Sequence, residues 1–67
     1  MSYILTPREK EIFNLLINNN RTKDIAKKLN ISEKTVRNHV SNVMQKLGTN
    51  GRASTVIELI KLKELSI

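Results

Sequence analysis

Apolar residues recur along this chain at helical spacing, and no stretch alternates apolar and polar positions over strand length. Ile12, Phe13 and Leu16 share one face of a first segment, with Leu15 and Ile17 beside them. Thr6-Pro7-Arg8-Glu9 opens it: Thr6 caps, Pro7 suits the first turn, and Glu9 stands where a capping box places its carboxylate. Asn18-Asn19-Asn20 closes it, because asparagine tolerates the left-handed backbone of a helix end. The pattern predicts helices at about residues 7–18, 23–29, 33–47 and 51–63. In the second, Ile25, Ala26 and Leu29 form the apolar edge, Thr22 is the expected cap and Asp24 meets the positive end of the helix dipole. Asn30 then turns the chain, Ile31 plugs the gap and Ser32 caps the third helix, which stops at Gly48. Asn50 is the expected cap of the fourth. The reading is one all-α domain over residues 1–67, without repeats, low-complexity stretches or linkers.

Composition narrows what such a domain can do. A chain of 67 residues has no room for a deep substrate cavity, since a domain this small buries only about 60% of its unfolded surface. The absence of cysteine removes disulfides, thiolate metal sites and a cysteine nucleophile. No apolar run reaches membrane-span length and no signal peptide is visible. Carboxylates are scattered, no Gly-rich phosphate loop occurs, and the single histidine lacks a nucleophile or acid at recognisable spacing, so an enzyme is not expected. Nor does anything call for a cofactor, metal or small-molecule ligand.

The net charge of +6 is concentrated. Between Arg21 and Lys46 stand seven bases (Arg21, Lys23, Lys27, Lys28, Lys34, Arg37, Lys46) against two acids, Asp24 and Glu33. Such an excess points to a polyanion or an anionic membrane, beside the plain alternative of a soluble basic surface. Membrane binding is the weaker reading, because no Trp/Phe stripe backs the bases.

The third helix separates two faces. Val36, Val40, Val43 and Leu47 make a narrow apolar stripe, opposite Lys34, Arg37, Asn38, Ser41 and Gln45, with Thr35 and Asn42 beside them. Any amphipathic helix has a polar face, but a merely solvated one favours Glu–Lys pairs. Arg, Asn, Gln and Ser are the side chains that bond base edges, and the major groove admits one helix. A short helix, a three-residue turn and a longer polar-faced helix make a helix-turn-helix. At the start of its first helix, Arg21-Thr22-Lys23 offers amides, a hydroxyl and two cations to a phosphate.

Several motifs resemble the LuxR-type helix-turn-helix family. Leu5-Thr6-Pro7-Arg8-Glu9 is similar to that family's opening L-T-x-R-E, and Lys23-Asp24-Ile25-Ala26 to its I-A signature. Ser32-Glu33-Lys34-Thr35-Val36-Arg37-Asn38-His39 is similar to its S-x-x-T-V-(K/R)-x-H, and Lys46-Leu47 with Arg52 to its K-L and later R. The resemblance runs from Leu5 to Leu65 without a gap. Ser32 to Gly48 and Val56-Ile57-Glu58-Leu59 look closest to the family's short members that regulate late spore-coat genes in sporulating bacteria. The resemblance implies a four-helix domain that binds double-stranded DNA as a homodimer in the bacterial cytoplasm. Carried over by position, it implies base reading by Arg37, Asn38 and Ser41, and phosphate contacts from Thr22, Lys23, Lys34, Thr35 and Lys46. His39, at the edge of the apolar stripe, is expected to brace packing or reach a phosphate. Lys63 stands where many relatives carry Gly after the fourth helix, which leaves the shape of that helix end open. With the motif beginning so near Met1, no receiver or ligand-binding domain is expected ahead of it.

The fourth helix carries apolar residues on two sides: Val56, Leu59 and Leu62 on one, Ala53, Ile57 and Ile60 on the other. That spread exceeds what one core contact needs, although small domains often leave aliphatics exposed. With the family resemblance, the Ala53, Ile57, Ile60 stripe is the expected two-fold interface. The rival reading is a helical module that docks on RNA polymerase or another regulator.

Overall fold

The computed structural model describes residues 4–66. Its helices are α1 (Pro7–Ile17), α2 (Thr22–Leu29), α3 (Glu33–Leu47) and α4 (Arg52–Lys61). α3 is the centre, packing on each of the other three. Ile12, Phe13, Ile25, Val36, Val43 and Leu59 lose all contact with solvent around it, and Leu5, Ala26, Val40 and Leu65 complete the core.

Local chemistry sets the boundaries. Thr6 Oγ1 accepts from the Glu9 amide at 3.2 Å and Glu9 Oε1 from the Thr6 amide at 2.9 Å, the expected capping box. Ser32 Oγ accepts from the Thr35 amide at 3.0 Å and starts α3. Two caps differ from expectation. α2 starts a residue early, at Thr22, with Arg21 as its N-cap; the Thr22 hydroxyl is occupied elsewhere, and Asp24 Oδ2 accepts the Arg21 amide at 3.1 Å instead. α4 is capped by Gly51 rather than Asn50. The Gly51 carbonyl accepts the amide of Thr55 at 3.0 Å and its hydroxyl at 2.6 Å, which lets Thr55 sit wholly buried. The Thr49 hydroxyl, 2.6 Å from that of Thr55, completes the knot.

All four helices end alike, in a Schellman turn around one left-handed residue. Those residues are Asn19 (φ 65°), Asn30 (φ 57°), Gly48 (φ 67°) and Lys63 (φ 60°). At the last, the Glu64 amide bonds the Leu59 carbonyl at 2.9 Å and the Lys63 amide that of Ile60 at 3.0 Å. The turn ends α4 at Lys61, short of the expected 63, and corrects the assignment of its apolar side. Leu62 is left 44% exposed, and Leu65, beyond the turn, enters the core in its place. Ile60, expected on the outward stripe, is half-buried and packs on the core. Ala53 and Ile57 do face outward, Ile57 at 55% exposure.

Candidate nucleic-acid interface

α2, the turn at Asn30–Ile31 and α3 form a helix-turn-helix whose second member turns its valines inward. Burying Val36, Val40 and Val43 leaves Lys34, Arg37, Asn38, Ser41, Asn42 and Gln45 exposed on the other side. Among the described residues Arg37 pairs with Glu33, at 3.8 Å with both side chains more than half exposed, a pairing a base edge would readily displace. Asn38 and Ser41 lie beside it on the same face, one and four residues along. Thr35 is half-buried and its hydroxyl lies 2.8 Å from Ser32 Oγ at the start of the helix. His39 is half-buried at the edge of the packed stripe.

The expected phosphate-contacting residues do not form one group. Lys23 and Lys34 are exposed, and Thr22 is half-buried with its hydroxyl accepting from Arg52 Nη2 at 3.1 Å. Lys46 departs from the rest. Its ammonium donates to Glu9 Oε1 at 2.6 Å and to the Ile4 carbonyl at 3.1 Å, so most of its bonding capacity is spent inside the protein. Glu9 is 4% exposed. Burial pushes its carboxyl up, but hydrogen bonds from Lys46 and Thr6 and the Lys46 charge outweigh burial and hold it below its ordinary value. Close by in the chain path, the buried Glu64 accepts the Leu5 amide at 3.0 Å. Periodicity gives no sign of this clamp, because its partners are 37 and 59 residues apart.

Among the described residues no helix is long and apolar enough to cross a membrane, and no three His, Cys, Asp or Glu side chains gather as a metal site requires.

The family model for bacterial regulatory proteins of the luxR family matches residues 3–59. The chain belongs to that family. This luxR-family chain is 56% identical over 64 residues to the spore germination protein GerE of Bacillus subtilis (strain 168), covering 96% of itself and 86% of that protein. It is 48% identical over 59 residues to the transcriptional regulatory protein DegU of Brevibacillus brevis, spanning 88% of itself and only 25% of DegU. A solved structure of the transcription factor GerE superposes with a TM-score of 0.93 at 57% identity, covering 97% of both chains. The chain is therefore a GerE-like transcriptional regulator with a DNA-binding helix-turn-helix, in a family of transcription factors and not of enzymes.

Proposed function

We propose that this luxR-family chain binds specific double-stranded DNA as a homodimer in the bacterial cytoplasm, with α3 in the major groove. Arg37, Asn38 and Ser41 read base edges; Thr22, Lys23, Lys34 and Thr35 meet phosphates. The observation that carries this reading is the division of α3, with three valines buried and base-bonding side chains exposed on the opposite face. Ala53 and Ile57, flanked by the half-buried Ile60, form the two-fold contact that presents two recognition helices to two half-sites. Likeness to a spore germination protein supports a role in sporulation, and late spore-coat genes are the targets in this reading.

Ile57→Glu tests the assembly. Paired by two-fold symmetry, it sets two carboxylates together in a desolvated patch while the core and α3 stay intact. Sedimentation with a two-half-site duplex should show two wild-type chains per duplex. The mutant, still helical by circular dichroism, should bind one half-site weakly, without the gain from linking two. One wild-type chain per duplex at saturation, or a helical mutant binding as a pair with full affinity, overturns the dimer. Wild-type binding that survives salt and ignores duplex sequence would favour docking on RNA polymerase or another protein instead.

A further inference from the structure

Arg52 opens α4 and reaches across to the first residue of α2, where its Nη2 donates to Thr22 Oγ1 at 3.1 Å. A guanidinium only donates, so the Thr22 hydroxyl accepts here and keeps its own hydrogen for another acceptor. At this junction cations outnumber acids. Arg21, Lys23 and Arg52 gather at the starts of two helices, which already carry positive partial charge, and α4 has no acid in its first turn. Asp24, the acid in the first turn of α2, is taken by the Arg21 amide, and the nearby Glu33 lies toward Arg37. Arg21, Thr22, Lys23 and Arg52 line an open groove of about 1070 Å³ together with one acid, Glu33. Like charges held at two positive helix ends favour an arriving anion.

We propose that Arg52 is a positioning residue for the DNA-phosphate contact at the start of α2. By donating to Thr22 Oγ1 it turns the hydroxyl hydrogen outward, without Arg52 touching the phosphate. The proposal rests on the DNA-binding reading above and assigns work to an α4 residue that lies outside the helix-turn-helix.

The test combines salt titrations of duplex binding with thermal melting of the free full-length chain. Arg52→Ala should bind specific and random duplexes alike about three- to tenfold more weakly, the scale of one ordinary hydrogen bond. It should melt at or above the wild-type temperature, because removing it relieves the crowded charge. Arg52→Lys, which can still donate to Thr22, should recover most of the affinity. In a Thr22→Val background Arg52→Ala should cost less than about twofold, the signature of acting through that hydroxyl. Should Thr22→Val fold poorly, Thr22→Ala also removes the hydroxyl and should blunt the cost of Arg52→Ala in the same way. An equal loss in both backgrounds overturns the proposal, because Arg52 would then meet the phosphate itself. Unchanged affinity, or lowered melting without an affinity loss, overturns it in favour of a helix brace. Wild-type chain that shows no salt-dependent duplex binding is a different result, and fails the DNA-binding reading before Arg52 is reached.

Discussion

Arg37 and Lys46 are cations on opposite sides of one helix, and the fold puts them to opposite uses. Arg37 is more than half exposed with one loose partner at 3.8 Å, available to whatever approaches α3. Lys46 is held 2.6 Å from a carboxylate only 5% exposed at its side chain, and is tied to the backbone at Ile4 as well. The difference shows that what a surface cation does depends on what lies opposite it after folding. On the side that carries Lys34, Arg37 and Asn38, α3 is exposed among the described residues. On the other side, at its C-terminal end, Lys46 meets Glu9 of α1 and the Ile4 carbonyl before it, and becomes a brace.

The comparison is broken most directly at Lys46. Lys46→Ala leaves a buried carboxylate without its cation and should cost about 2 kcal/mol of folding stability, a melting point roughly 10 °C lower for a domain of this size. The salt dependence of DNA binding should stay near wild type. Retained melting with a salt slope reduced by about one per chain would instead make Lys46 the phosphate contact that its sequence position suggests. The mirror experiment is Arg37→Ala. Stability should move by no more than about 0.5 kcal/mol, while binding to the preferred duplex weakens by about 1–3 kcal/mol per half-site and preference relaxes at one base pair. Equal weakening on every duplex would move Arg37 from base reading to the phosphate backbone.

Smaller effects sharpen the contrast between ends that are braced and ends that are strained. Lys63 is the one left-handed helix terminator here that is neither Gly nor Asn. Lys63→Gly should stabilise the fold by about 1 kcal/mol, seen in denaturant midpoints, by removing a β-carbon from a backbone region that disfavours it. A loss would mean that the lysine side chain contributes more than its backbone costs. The clamp also has a pH signature. The Glu9 carboxyl titrates lower in the folded chain than in the unfolded one. Its contribution is therefore complete above the ordinary carboxylate range and is lost as pH falls through the folded value. Melting across acidic pH should show a loss for the wild type that Glu9→Gln lacks.

Much of this was legible in sequence because it is local. The Thr6–Glu9 capping box, Ser32 before α3, and the turns at Asn30 and Gly48 each need only a few consecutive residues, and each forms as the chemistry dictates. The valine stripe of α3 fixed which of its faces would be buried. What stayed hidden depends on docking. Nothing near Lys46 announces Glu9, nothing near Thr22 announces Arg52, and nothing near Leu5 announces Glu64. The apolar side of α4 departs from its periodicity at Leu62 for a related reason: the pattern continues in sequence, whereas the helix stops at Lys61 and hands the core position to Leu65.

The clamp around Ile4 and Leu5 also governs how this unit can be joined to others. Lys46 and Glu64 hold the incoming chain beside the far end of α3, about 13 Å along the helix axis from Arg37. The outgoing chain leaves from the same place, since Glu64 is itself half of the clamp. Polypeptide spliced on ahead of Ile4 would emerge at the rear of the recognition helix. DegU, of which this chain matches a quarter, shows that a related unit can form part of a much longer protein. Entry and exit therefore meet at one pole of the unit, away from Arg37 and the exposed start of α3.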